Sequence, residues 1–282
     1  MTKIQVQDLR PGDILLHAGI GEISKLIKWA SDSIYSHAAM VYDATMLAEA
    51  MSKGVRFNVT LAERATDTAD FSQIDVIRTK RAISPDNLVA LQDSAQAMKT
   101  LPFALNKMVE LGMICIVKNK ITTDPQGRLL LWWLASQLLP SASDKLVCSE
   151  FVYRTYHGAA TVPPGIVDPD ILVLPGPKTA ASFPKIDWAA LWEEYEQARA
   201  NGGDDPGDLP DEPDMTMTVT DDMLDEAMTL GVQQLRLTSA VGGLVEDGLD
   251  GSPVRIPDPA PATVLPQDLA NSDTFRPLGR LL

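Results

Sequence analysis

Between residues 8 and 80 the chain breaks into short apolar runs, each closed within a few residues by a turn signal, and this punctuation limits the stretch to short strands joined by tight turns. Asp8-Leu9-Arg10-Pro11-Gly12-Asp13 reads as a turn ahead of a strand over 14–17. Gly19-Ile20-Gly21 then breaks the chain, and Ile23, Leu26, Ile27 and Ala30 recur at helical spacing with Lys25 and Lys28 on the other side, the pattern of an amphipathic helix. Residues 35–42 place His37, Ala39 and Val41 on one face and Ala38, Met40 and Tyr42 on the other. Neither face is strongly polar, so this is a central strand. Residues 46–51 and 54–59 follow as two more extended segments around a Ser52-Lys53-Gly54 turn, and 74–78 as another.

The next hundred residues read as helices. Ser84 caps a helix with Pro85 at its first position, and Leu88, Leu91, Ala95 and Met98 form its stripe. Residues 103–117 continue as helix, and the most apolar run, 129–139 with Trp132 and Trp133, is too short for a bilayer that needs about 20 residues. It reads as a buried or interfacial helix, with no transmembrane segment. A helix over 143–156 follows, capped by Ser143 or Asp144, then a strand over 171–174 and a helix opening at Trp188.

Charge divides the chain at about residue 199. Residues 201–282 hold 16 acidic and 4 basic side chains, a net of −12 out of −14 for the whole chain, together with 9 of the 20 prolines. That composition predicts an acidic, Pro/Gly-rich, mostly disordered tail over 199–282, with one short helix at about 220–232 that is either transient or a dock for a protein partner. The preceding 1–198 read as one globular domain. No basic face is present to neutralise phosphates, which argues against nucleic acid as a partner. Two cysteines, Cys115 and Cys148, are too few for a disulfide scaffold, and residues 1–8 contain no apolar core of a signal peptide. The expectation is a cytoplasmic protein, or one exported by a route that needs no such signal.

The chemistry centres on Cys148. In a first helical turn a thiol meets free N–H groups and the positive end of the helix dipole, which favour the thiolate. Phe151, Val152 and Thr155 follow at i+3, i+4 and i+7, so the thiol shares the inward face; the plainer reading is a small buried hydrophobe. A nucleophile needs a base, and the chain offers three histidines. His157 lies nine residues on, roughly 13 Å along the helix axis, too far to be the partner. His17 ends a strand beside a glycine turn. His37 opens the central strand ahead of two alanines, with room for a neighbour, and is preferred. Glu49 is the candidate to orient it. With a hairpin loop over 42–44 it faces His37 directly, and a register shift of two leaves the pair diagonal on the same face. The competing reading leaves Glu49 in water on an edge strand. A metal site built from Cys115, Cys148 and the histidines lacks any CxxC or HxxxH spacing, so neither metal nor cofactor is expected.

The order Pro11-Gly12-Asp13-Ile14-Leu15-Leu16, Tyr35-Ser36-His37-Ala38-Ala39-Met40-Val41, Glu49-Ala50, Gly54-Val55-Arg56 and Val147-Cys148-Ser149-Glu150-Phe151-Val152 resembles the circularly permuted NlpC-like, papain-like cysteine hydrolases of the YiiX/YaeF-like branch, over about residues 8–175. Histidine preceding cysteine matches that permuted order. The resemblance implies an α+β fold, with a small antiparallel sheet packed on the nucleophile helix. It also implies Cys148 as nucleophile, His37 as base and Glu49 as orienting residue, in an amidase or peptidase acting on cell-wall peptides or, as the alternative, a lipid-directed acyl hydrolase or transferase. The competing reading from another class is a non-catalytic binding module acting through the acidic tail. Here the shared domain carries a long helical insert at about 83–142 and the acidic tail.

Overall fold

The turn-bounded segments condense into one sheet. In the computed structural model, which describes residues 2–30, 33–103, 146–173, 185–202, 254–255, 261 and 264–282, the chain runs β1 (Ile14–Gly19), α1 (Glu22–Ala30), β2 (His37–Val41), β3 (Met46–Met51), β4 (Gly54–Thr60), α2 (Leu61–Ala65) and β5 (Phe71–Thr79). It continues through α3 (Pro85–Ala97), α4 (Cys148–His157), β6 (Leu172–Val173), α5 (Trp188–Gly202), β7 (Val254–Arg255), α6 (Pro266–Asn271) and β8 (Phe275–Arg280). The main sheet has six strands in the order β4-β3-β2-β1-β5-β8, antiparallel throughout, and β6 pairs with β7 in a separate ribbon. β2 is central, as its two apolar faces require, and β3 is interior too, which removes the edge-strand reading of Glu49. Gly54, with φ +92°, makes the turn that joins β3 to β4 and aligns Glu49 with Arg56.

Each face of the sheet has its own core. On one side Ile14, Leu16, Ala38 and Met40 pack against Leu91 and Ala95 of α3 and Phe151, Val152 and Tyr156 of α4. On the other, Leu15, Ala39, Val41 and Leu47 pack with Leu61, Phe71 and Ile74. At about 1.5–3 kcal/mol for each fully buried large apolar side chain, this double covering fixes the strand register: a one-residue slip would exchange the two faces. Ser84 accepts a hydrogen bond from the Asn87 N–H at 3.3 Å and caps α3 as expected. The Tyr156 hydroxyl donates to the Gly12 carbonyl and ties α4 to the turn before β1.

Two expectations are corrected. The tail boundary at 199 does not hold: α5 runs through to Gly202, and residues 264–282, counted with the tail, supply α6 and the sheet strand β8. Phe275 packs edge-on against Tyr156 with ring centroids 5.4 Å apart, and Leu269 and Leu281 are buried. Averaged over 82 residues, the acidic and proline bias hid this short apolar end. α3, which opens the insert expected at about 83–142, packs in the core beside α4. The cap of the cysteine helix is also displaced. Ser143 and Asp144 lie outside the described residues, and α4 starts at Cys148 itself, with Val147 in extended conformation before it. The segments expected as helices over 129–139 and 220–232 likewise lie outside the described residues. Among the described residues no helix is long and apolar enough to cross a membrane.

Candidate active site

Cys148 is the first residue of α4, so its thiol sits at the end of the helix where backbone N–H groups lack helical acceptors. It is buried, at 9% exposure, as are Phe151, Val152 and Thr155 on the inward face. The sulfur lies 4.0 Å from the Ser36 carbonyl oxygen and accepts hydrogen bonds from the backbone N–H groups of Ala38 and Ser149. The Ala38 N–H is available because β2 and β3 are paired at Met40↔Ala48 and Val41↔Leu47, and Ala38 lies beyond that ladder. Residues 36–38 therefore wrap the thiol at the open end of the strand, with His37 between two backbone contacts.

The His37 imidazole hydrogen-bonds the thiol, and its Nε2 lies 2.7 Å from Glu49 Oε2. With Nε2 committed to the carboxylate, Nδ1 is the nitrogen left for sulfur. The register observed between β2 and β3 puts His37 two residues from the position facing Glu49, so they meet on the diagonal. Of the three histidines, only His37 is placed this way. His17 stands directly across from His37 on β1, fully buried, with ring centroids 4.9 Å apart. His157 is at the far end of α4, stacked on Tyr153 and 3.3 Å from Asp168. Cys115 lies outside the described residues.

Burial and charge act in opposite directions on the pair. Burial alone would raise the Cys148 pKa, but the His37 charge and hydrogen bond, helped by the two backbone N–H groups, carry it below the ordinary thiol value. Burial would likewise lower the His37 pKa, but Cys148 and then Glu49 push it up to about 9. Both shifts favour thiolate beside imidazolium. Burial would raise the Glu49 pKa, yet hydrogen bonding and charge from His37, then Arg64 and Arg56, hold it far below the carboxylate range. Burial, followed by the charges of His37 and Arg64, keeps His17 neutral, with a pKa well under the usual imidazole value.

The sequence reading missed the two arginines. Arg56 reaches Glu49 Oε1 with Nε at 2.8 Å and Nη2 at 2.6 Å, and Arg64 reaches the same oxygen with Nη2 at 2.6 Å. Arg56 was within reach of strand reasoning, since the Ser52-Lys53-Gly54 turn places it across from Glu49. Arg64 rides on α2, whose signature is the capping box Thr60-Leu61-Ala62-Glu63: Glu63 N donates to Thr60 Oγ1 at 3.1 Å, and Thr60 N donates to Glu63 Oε2 at 2.9 Å. Among the described residues no group of three or more His, Cys, Asp or Glu side chains is arranged to hold a metal ion.

No family model matches this chain, and no curated protein matches it. Among solved structures it is similar to the crystal structure of the metalloprotein yiiX from Escherichia coli O157:H7, at 20% identity and a TM-score of 0.37. The match covers 54% of this chain and 66% of that one, so the chain spans just under two thirds of that neighbour's length.

Proposed function

We propose that the chain is a thiol hydrolase or acyltransferase of the permuted papain-like, NlpC-like type, cleaving an amide or ester through an acyl-enzyme, with peptide amides as the first substrates to try. One observation carries the reading: a buried thiol at a helix start bonds an imidazole whose other nitrogen is fixed by a fully buried carboxylate. Cys148 is the nucleophile, His37 the general base and acid, and Glu49 the orienting residue. The Cys148 thiolate attacks the carbonyl carbon, forming a C–S bond, and the oxyanion is met by the Cys148 backbone N–H and a second donor. His37 gives its proton to the departing amine or alcohol as that bond breaks. It then takes a proton from water, or from another acceptor, whose oxygen or nitrogen releases the acyl group and restores the thiol. Lipid esters are the second arm of the substrate screen, and residues 203–253 are the place to look for a protein partner.

The test is the rate of Cys148 alkylation by iodoacetamide against pH, in a Cys115→Ser background, with and without His37→Ala. A free thiol with a pKa of about 8.5 is well under 1% ionised at pH 6, so the intact pair should react roughly a hundredfold faster there than the His37→Ala variant. Equal rates in the two proteins would refute the enzyme reading and leave a binding module.

A further inference from the structure

The carboxylate behind His37 divides its two oxygens between different partners. Oε2 faces His37 Nε2 alone, whereas Oε1 collects three N–H donors from two guanidinium groups. Orienting an imidazole requires one hydrogen bond, and one arginine already compensates one buried charge. The second arginine therefore calls for a different account, and Arg64 occupies an unusual place. Its side chain is 2% exposed, it also bonds Asp67 Oδ2 at 3.3 Å, and its guanidinium carbon lies 4.7 Å above the Phe71 ring centroid. Phe71 in turn packs against His17 at 4.7 Å and stacks with His37 at 6.1 Å. Arg64 thus touches both the carboxylate that holds the imidazole and the ring that packs beside it.

We infer that Arg64, assisted by Arg56, is a positioning residue that sets how much of the Glu49 charge reaches His37, and so fixes the pH window in which thiolate and imidazolium coexist. The inference rests on the Cys148–His37 reading above. The groups facing His37 are His17 from β1, Glu49 from β3, Cys148 from α4 and, through the carboxylate, Arg56 from β4 and Arg64 from α2; Phe71 from β5 brings no charge. The Glu49 anion nearest the ring is offset on its far oxygen by two fixed cations, one of which, Arg64, is shared with Asp67. A lone buried carboxylate would hold the imidazolium proton tightly and repel the thiolate. Two cations on its far oxygen weaken both effects, so the thiolate forms at lower pH and His37 gives up its proton more readily to a leaving group.

This makes a signed forecast that a purely structural role does not share. Removing one cation should move both limbs of the pair to higher pH, because every nearby proton is then held more tightly. If Arg64 only holds Glu49 in place, its loss frees the carboxylate to turn away, and the His37 pKa falls. The experiment is an NMR titration of histidine-labelled protein together with the alkylation profile, for the unaltered chain, Arg64→Met and Arg56→Gln. Arg56 is 34% exposed, so its replacement keeps the test valid even if Arg64→Met fails to fold. The expected result is an upward shift of both limbs by on the order of one pH unit for Arg64→Met, and a smaller upward shift for Arg56→Gln. A His37 pKa that falls or stays put in the folded variants overturns the inference and leaves the nucleophile pair intact. An ordinary, His37-independent alkylation profile in the unaltered protein overturns the reading beneath it, and this inference with it.

Discussion

Two buried carboxylates in the same sheet, Glu49 and Asp75, have much in common and differ in one respect that decides their roles. Both are essentially inaccessible and both are bonded by arginine. Asp75 accepts from Tyr35 Oη at 2.8 Å, Gln73 Nε2 at 2.6 Å and Arg280 Nε at 2.8 Å. Burial, then Asp75, holds the Tyr35 hydroxyl protonated far above its ordinary range, so that network ends in a group with no proton to move near neutrality. Glu49 confines its arginines to one oxygen and offers the other to an imidazole that bonds a thiol. Arginine pairing at a buried acid is therefore ordinary structural practice here. What marks a site is the uneven division of the carboxylate and the titratable chain beyond it.

The sharpest challenge to that contrast is a matched pair of isosteric substitutions. Glu49→Gln should slow alkylation of Cys148 at pH 6 by about ten- to a hundredfold, because the imidazole loses the charged hydrogen bond that holds it in place beside the sulfur. It should also cost on the order of 3–5 kcal/mol in urea unfolding, since Arg56 loses its buried anion and Arg64 keeps only the longer contact with Asp67. Asp75→Asn should lower stability by about 1–3 kcal/mol and leave the alkylation rate unchanged. Equal slowing in both would erase the distinction.

A second effect concerns the imidazole alone. Cys148→Ala removes the largest influence raising the His37 pKa and should bring it down from about 9 by on the order of one unit, read by NMR. The Asp75 network, having no such partner, should give no change in the ring resonances of Tyr35.

Acid should also separate the two regions. His17 is neutral in the native protein, while the unfolded chain takes up that proton near pH 6.5. The stability tied to His17 is therefore complete above that pH and is lost, by up to about 1.4 kcal/mol per pH unit, as pH falls towards the depressed native value. His17→Phe should flatten this acid limb in denaturation curves, and an undiminished slope would remove His17 as its source. The smallest effect belongs to the rim of the Asp75 side, where Lys80 and Asp273 stand 3.5 Å apart with both side chains more than half exposed. Lys80→Ala should shift the unfolding midpoint by no more than about 0.5 kcal/mol.

Much of this was legible in the chain because strand and helix periods expose it. The alternation through His37, Ala39 and Val41 named the central strand, and the hairpin argument kept Glu49 on the His37 face in the register that formed. The i+3, i+4 and i+7 spacing after Cys148 gave the buried face of its helix. Arg64 was not legible: α2 is five residues long, too short to show a helical repeat, and the reach of Arg64 to Glu49 is a tertiary contact from α2 to β3. The Ala38 N–H that meets the sulfur was equally hidden, since it follows from where the β2–β3 ladder stops. The final strand was lost to averaging, its few apolar residues outweighed by the acidic stretch before it.

That last strand has a consequence for how the protein forms. β8 pairs with β5 across a separation of 205 residues, measured at the Asp75–Arg280 contact, so this edge closes only once the intervening residues have been made. Loop closure over such a distance is entropically slow, and until it happens the outer N–H and C=O groups of β5 stand open as a template for any passing strand. A chain cut short before residue 275 would keep Cys148, His37 and Glu49 yet present that bare edge, and the expected fate is assembly through it into aggregates rather than a smaller folded domain.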